Sequence, residues 1–204
     1  MKKLIALILL LVIMQIPMSC EDNSCDQPDT GDLFIQDMLL EFGSFTNNTL
    51  NPVFPDDTLD YTAAALVYRV IDTRLASTSE SNTGSWVSSA LACSPVPPAP
   101  GHRIVTINIT SDKTFFSNDF EMQPGQTLND FFEVAIGNGT NFNNSVASFV
   151  TNVNLSPDIF GDVGSYIALR LKFRPDEVVN QSFNIETTFD DATVLSDDRS
   201  VKIK

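Results

Sequence analysis

The chain has 204 residues, and its 26 acidic side chains against 12 basic ones give a formal net charge of −14. Such an acidic protein is a poor candidate for binding DNA, RNA or a bare anionic membrane, because neutralising phosphate requires clustered lysine and arginine. Apolar residues, among them 15 phenylalanines, make up 43% of the sequence and argue against disorder. The length fits one domain with a proper core, and the sequence has no fixed-period repeat of the kind that builds a solenoid or propeller.

The N-terminus has the layout of a secretion signal. A pair of lysines is followed by the apolar run Leu4–Ile16, which is shorter than the roughly 20 apolar residues of a permanent membrane helix. Ser19 is a small residue directly before Cys20, and this order is typical of bacterial lipoproteins, in which the cysteine accepts the lipid. The sequence therefore predicts a signal peptide over residues 1–19 and a lipid-modified Cys20.

Two features qualify this lipoprotein signal. Pro17 stands where such signals usually carry leucine, although signals of the Bacteroidetes phylum are looser at this place. The alternative is an ordinary secreted protein whose Cys20 pairs in a disulfide. If the lipid is present, two or more acyl chains hold the protein stably, at about 0.8 kcal/mol per buried CH₂.

An acidic tether over residues 20–32 is expected to follow. The stretch Glu21–Asp26 resembles the surface-export signal of Bacteroidetes lipoproteins, and it would also hold a domain away from anionic head groups. The expected location is the outer membrane, with surface display favoured over its inner leaflet. Cys25 and Cys93 remain once Cys20 carries lipid, and they could form one disulfide or stay as two separate thiols.

Period-two alternation of apolar and polar residues is the dominant pattern in the chain. Val105–Thr110 and Ile167–Arg174 show it most clearly, as half-buried strands do. Further strands are predicted at Leu33–Phe42, Ala63–Ile71, Trp86–Ala92, Phe183–Phe189, Thr193–Leu195 and Val201–Ile203. This number of short strands predicts a single mainly β domain over residues 33–204, an antiparallel immunoglobulin-like β-sandwich with one or two short helices.

The two predicted helices cover Thr127–Ile136 and Asn144–Asn152, where apolar residues recur at helical spacing. Polar, proline-rich or glycine-rich segments predict the loops, at Asn47–Asp57, Ser77–Ser85 and Ser94–Gly101.

No catalytic constellation is apparent in the sequence. The only histidine, His102, follows a Pro-Gly pair and is expected to be a surface loop residue. No serine lies in a GxSxG motif, and one histidine with two cysteines lacks the ligand spacing of a zinc site. Gly137-Asn138-Gly139 is better interpreted as a turn than as a phosphate-binding loop.

The aspartate pairs are the remaining candidates for chemistry. Asp56–Asp57, Asp190–Asp191 and Asp197–Asp198 are each predicted to lie in turns, where solvated side chains are the default. The weak candidates for calcium ligands are Asp190, Asp191, Asp197 and Asp198, because calcium prefers oxygen ligands. A carboxylate pair across a cleft could instead hydrolyse glycosides. Asp57-Thr58-Leu59 resembles the O-glycosylation motif of exported Bacteroidetes proteins, which would place a glycan on Thr58.

Exposed aromatic side chains could mark a carbohydrate-binding or protein-binding surface. The candidates are Trp86, Phe115, Phe116 and Phe120. In a chain so rich in phenylalanine, packing in the core is the default expectation for each of them.

A wider resemblance covers most of the chain after the signal. The strand Ile104–Ser111, the segment Pro124–Asn129 and the strand Tyr166–Phe173 are similar to those of a family of Bacteroidetes lipoproteins known only as a domain of unknown function. The resemblance implies a β-rich fold and a membrane-anchored location, and it implies no catalytic residue. The first hypothesis is a non-enzymatic surface lipoprotein that binds or scaffolds a protein or glycan partner. The alternatives are a glycan-active hydrolase that uses an acidic pair and a calcium-stabilised adhesion module.

Overall fold

The computed structural model describes residues 32–46, 49–53, 57–76, 99–117, 119–136, 142–156 and 160–204. Their elements in chain order are β1 (Asp32–Thr46), β2 (Thr49–Pro52), β3 (Ala64–Ala76), β4 (Ala99–Pro100), β5 (Ile104–Ser111), β6 (Phe115–Ser117), β7 (Phe120–Met122), β8 (Phe132–Ile136), β9 (Asn144–Ser145), α1 (Val146–Leu155), β10 (Tyr166–Leu171), β11 (Val179–Phe189) and β12 (Val194–Ile203). Within these ranges, no helix has the length and apolar content that crossing a membrane requires.

Two antiparallel sheets curl toward each other as a half-barrel. The larger sheet has the order β2-β1-β3-β10-β8-β9, and β4 adds a short parallel pairing to β1. The smaller sheet has the order β12-β11-β5, while β6 and β7 form a separate hairpin. The prediction of a mainly β, antiparallel fold is confirmed.

The core lies between the two sheets and draws apolar side chains from both. Phe132 of β8 and Phe183 of β11 meet edge to face across it, with 5.4 Å between ring centroids. Phe149 of α1 is fully buried and closes one side of the same cluster. Burying each such ring stabilises the fold by roughly 1.5–3 kcal/mol, so these contacts hold the two sheets together.

The observed strands are longer than the alternation predicts. β1 continues to Thr46 and β3 to Ala76, and β2 lies inside the predicted loop Asn47–Asp57. The last two predicted strands are parts of one strand, β12, because its whole length pairs with β11. The predicted strand Trp86–Ala92 lies outside the described residues.

The second predicted helix is confirmed as α1, shifted toward its C-terminus. Ser145 caps it, accepting a hydrogen bond from the backbone N–H of Ser148 at 3.0 Å, as N-cap serines do.

The first predicted helix, Thr127–Ile136, is wrong. Asn129–Phe131 forms a 3₁₀ turn, and Phe132–Ile136 is β8, which pairs with β10. Phe132 and Val134 face the core from that strand, so pairing with β10 overrides a spacing that is also compatible with a helix.

Candidate functional site

The most unusual concentration of polar contacts lies along one edge of β1. β3 pairs with the other edge, while β4 covers Asp32–Leu33 and β2 covers Gly43–Thr46, leaving residues 34–42 between them; we call this stretch the β1 edge. Three of its N–H groups donate to side chains: Ile35 to Nε2 of His102 at 3.1 Å, Met38 to Oδ1 of Asp37 at 2.8 Å, and Leu40 to Oδ2 of Asp197 at 2.7 Å. Side chains thus take the place of a neighbouring strand.

His102 is buried, with 7% of its surface exposed, so its prediction as a surface loop residue is wrong. Its ring stacks on Phe189 at 3.9 Å between centroids and meets the edge of Phe34 at 5.3 Å. The preceding turn brings the ring inward, because Gly101 has no Cβ; one would lie 2.4 Å from the Phe34 ring. A Pro-Gly pair marks a turn, but it does not show on which side of the chain the next residue lies.

The hydrogen bond from Ile35 fixes the protonation of His102. Because Nε2 accepts, the proton of the neutral ring is on Nδ1, which lies 3.6 Å from Oδ2 of Asp191. Burial lowers the pKa of His102, and the nearby Asp191 and Asp190 carboxylates oppose that shift. The neutral His102 imidazole therefore accepts a hydrogen bond from the backbone of β1.

This arrangement does not suit catalysis by a histidine–aspartate pair. A general base needs an accessible nitrogen within reach of the proton it removes. The Nε2 atom of His102 accepts from a backbone N–H, and the ring is stacked on Phe189 and meets Phe34 at an interplanar angle of 80°.

Asp190 and Asp191 lie in the turn after β11, as predicted, and both bind backbone groups. Oδ1 of Asp190 accepts from the N–H of Arg103 at 2.9 Å, and Oδ1 of Asp191 accepts from the N–H of Thr193 at 2.9 Å. The bond from Thr193 is the main reason that the pKa of Asp191 is lowered. A glycosidase acid requires the opposite shift, which keeps its proton available near neutrality.

Asp197 and Asp198 lie inside β12 rather than in a turn, so that prediction is wrong. They pair with Ile185 and Asn184 of β11. The chain has already reversed at residues 190–193, where Ala192 has a positive φ of 66°, and β12 then runs without interruption. Among the residues that the structure describes, no group of three or more His, Cys, Asp or Glu side chains could hold a metal ion.

A buried hydroxyl pair lies beneath the β1 edge. Tyr68 of β3 and Thr187 of β11 are both fully buried. Burial raises the pKa of Tyr68 to about 12; Asp197 and Asp37 push it the same way, and the Thr187 hydroxyl opposes the rise. Nothing in the alternation pattern distinguishes this tyrosine from an ordinary core residue.

The outer edge of β5 is also covered by side chains, here by two asparagines. Asn129 accepts from the N–H of Ile109 at 2.9 Å and donates to the carbonyl of Ile107 at 2.7 Å. Asn154 of α1 accepts from the N–H of Ile104 at 3.2 Å and donates to its carbonyl at 2.8 Å. We call this the β5 edge. Sequence reasoning missed both asparagines, because their partners lie 20 and 50 residues away.

An open groove of about 510 Å³ lies between α1 and β5. Its exposed apolar side chains include Val105 and Leu155, while Arg103 and Asp190 line it with polar groups. Because the groove is open to solvent, it is shallower than the enclosed pockets that bury small ligands.

The predicted aromatic candidates divide between core and surface. Phe115 is fully buried, in line with the packing expectation, whereas Phe116 and Phe120 are 38% and 58% exposed. Phe173 and Val178 are also exposed, and we call the four exposed residues Phe116, Phe120, Phe173 and Val178 the hairpin surface. Phe116 pairs with Glu121 and Phe120 pairs with Ser117, so the two phenylalanines project from opposite faces of the hairpin. Trp86 lies outside the described residues.

Hydrogen bonds join the two segments that carry the hairpin surface. The N–H of Asp176 donates to the carbonyl of Phe116, and Oδ2 of Asp176 accepts from the N–H of Asp119, both at 3.3 Å. The centroids of the Phe120 and Phe131 rings are 6.2 Å apart, and Phe131 is partly buried against the core. These exposed side chains are therefore supported by the body of the domain.

The outer face of the larger sheet offers aromatic rings of a different kind. The guanidinium of Arg170 lies 4.3 Å from the centre of the Phe142 ring and bonds Glu133 at 2.6 Å. Arg69 lies 5.0 Å from the centre of the Tyr166 ring. Guanidinium groups of the same chain already lie over the Phe142 and Tyr166 rings, so these rings are less suited to stacking on a ligand.

Several predicted sites lie outside the described residues: Cys20, Cys25, Cys93 and Asp56. Thr58 is described and is half-buried. The next residue, Leu59, donates its N–H to the carbonyl of Lys202 in β12 at 3.0 Å. No family model matches the chain, and a search of curated proteins found no match either.

Proposed function

We propose that the protein is a lipid-anchored lipoprotein of the outer membrane, displayed at the cell surface, whose domain binds or scaffolds a partner. The anchor is supported by the order of charge, apolar run, Ser19 and Cys20 in the sequence. The resemblance to Bacteroidetes lipoproteins supports the outer membrane, and the acidic stretch after Cys20 supports surface display.

The observation that carries the binding role is the hairpin surface. Single exposed apolar residues are ordinary, but here four lie on two joined segments, so a partner that wraps around the hairpin would remove them from water and gain free energy. Phe116, Phe120 and Phe173 have no polar atom on their rings, so the contact they favour is hydrophobic.

Binding is favoured over hydrolysis by what the aspartates do. The Asp190, Asp191 and Asp197 carboxylates each accept a hydrogen bond from a backbone N–H, and for Asp191 this bond lowers the pKa. A glycan-active hydrolase would need one carboxyl group held in its protonated form beside a cleft.

The immunoglobulin-like form of the sandwich is part of this proposal. Two facing antiparallel sheets with one shared core support it, as does the Phe132–Phe183 contact between them. An experimentally determined sheet order with Greek-key connections is the test; a continuous barrel would contradict it.

The anchor is tested with Cys20→Ala, using Cys25→Ala as the matched control. Radiolabelled palmitate should mark the wild type and the control, and the Cys20 variant should leave the membrane fraction because acyl chains supply the attachment. Retention of the Cys20 variant on the membrane would contradict the lipid anchor.

The binding role is tested with a photo-reactive phenylalanine analogue at position 120 in intact cells. The control places the same analogue at Val194, which is 52% exposed on β12. We expect a discrete protein adduct at 120, weakened by Phe173→Ser, and none at 194. Equal labelling at both positions, or none at 120, would count against the hairpin surface.

A further inference from the structure

We propose that His102 is an acid-responsive clasp: a proton added to Nε2 releases the Ile35 N–H, and the imidazolium turns toward Asp191, so that the N-terminal part of the β1 edge opens in acid. This inference rests on the contacts of His102 and is independent of the membrane anchor.

The first step follows from the atoms of the ring. A neutral imidazole has one acceptor nitrogen, and in His102 that nitrogen holds the N–H of Ile35 at 3.1 Å. The proton that solvent adds must go to this same nitrogen, because Nδ1 already carries one. The protonated Nε2 is a donor facing a donor, and the bond to Ile35 is lost.

The second step follows from the charges that face the ring. Oδ2 of Asp191 lies 3.6 Å from Nδ1, in the turn between β11 and β12, and the neighbouring Asp190 adds a second negative charge. The ring also contacts Phe34, over whose ring the guanidinium of Arg74 lies at 5.6 Å. An imidazolium is therefore attracted by the two aspartates of the β11–β12 turn and repelled by the Arg74 guanidinium.

The β1 strand is weakened at the point where the clasp holds it. Its register with β3 shifts between Ile35 and Asp37 and again before Met38. Pairing on the other side is brief, since β4 covers only Asp32–Leu33 and Gly101 donates one bond to the carbonyl of Leu33 at 2.7 Å. Loss of the Ile35 bond therefore leaves this segment held on one side only, by the pairing of Asp32–Ile35 with β3, except for the short β4 pairing.

The test is amide hydrogen exchange of the full-length protein between pH 7.5 and pH 4.5, with protection factors corrected for the intrinsic rate. We expect protection of the Ile35 amide to fall about tenfold in acid, as the loss of one buried hydrogen bond predicts. The Ile104 and Ile109 amides donate to asparagine side chains, which do not titrate, so their protection should stay constant. These two amides also report whether the whole domain has unfolded.

Two variants separate the clasp from general acid sensitivity. In His102→Gln, an amide oxygen can accept from Ile35 without titrating, so protection of Ile35 should no longer depend on pH. In Asp191→Asn, the imidazolium loses its counter-ion, so release should require a lower pH than in the wild type.

Three results would overturn the proposal. Protection of Ile35 could stay constant across the range, it could fall in parallel with Ile104 and Ile109, or it could fall equally in His102→Gln. A release midpoint that Asp191→Asn leaves unchanged or raises would overturn the second step alone.

Discussion

Two strand edges of this half-barrel, the β1 edge and the β5 edge, are covered by side chains in two different ways. At the β5 edge, Asn129 and Asn154 each donate one hydrogen bond and accept another. At the β1 edge, His102, Asp37 and Asp197 only accept. An amide satisfies both an N–H and a carbonyl at any physiological pH, whereas a carboxylate only accepts, and a neutral imidazole loses its one acceptor nitrogen when it is protonated. The comparison separates an edge that does not respond to pH from one that responds at His102.

Asn129→Asp should have the largest effect, because it gives the β5 edge the chemistry of the β1 edge. The carboxylate can still accept from Ile109, but it places a negative charge against the carbonyl oxygen of Ile107. We expect the free energy of unfolding to fall by about 2–3 kcal/mol, since an acceptor loses its donor in a partly buried place. Urea unfolding at pH 7 measures this; a loss below the experimental error would show that the amide's donor is unimportant.

Asn154→Ala should have a smaller effect on the same edge. Both bonds to Ile104 are lost, but water can reach this place from the groove beside α1. We expect a loss of about 1–2 kcal/mol by urea unfolding. Asn152→Ala is the control on the exposed face of the same helix and should change stability by less than about 0.5 kcal/mol. Equal losses in both variants would assign the effect to the helix.

The pH dependence of stability should show the titratable edge directly. The pKa of folded His102 lies below its ordinary value of 6.5, so the unfolded chain binds more protons in that interval. The contribution of His102 is therefore fully present above pH 6.5 and declines as the pH falls toward the folded pKa. Urea midpoints measured from pH 7.5 to pH 5 should decline less in His102→Gln than in the wild type. Parallel curves would assign the decline to other groups.

Asp197→Asn should have the smallest effect, although it removes a charge. The amide oxygen can still accept from Leu40, so the bond to the β1 edge is kept, while the exposed bond that Oδ1 accepts from the N–H of Asp198 is exchanged for water. We expect a change within about 0.5 kcal/mol, against a loss of about 1 kcal/mol in Asp197→Ala. Urea unfolding of the pair measures the difference. If the asparagine variant were as unstable as the alanine variant, the carboxylate charge itself would matter at this edge.

The sequence predicts those parts of the fold that depend on local pattern. Alternation locates most strands, and apolar spacing locates α1, because a strand face or a helix face is a property of neighbouring residues. The covered edges depend on contacts between distant residues: Asp197 lies 157 positions from Leu40, and His102 lies 67 positions from Ile35. The sequence predicts such residues in turns or loops. Aspartate and histidine in a polar segment show the same local pattern whether their side chains are solvated or bonded to a strand.

The asparagines of the β5 edge have one further consequence, for the behaviour of many copies together. A growing β-aggregate adds each new strand at an edge whose backbone N–H and C=O groups are unpaired. Asn129 and Asn154 occupy the hydrogen-bonding positions that an incoming chain would use, at Ile104, Ile107 and Ile109. The two asparagines should therefore prevent a strand of another molecule from pairing with β5 at these positions.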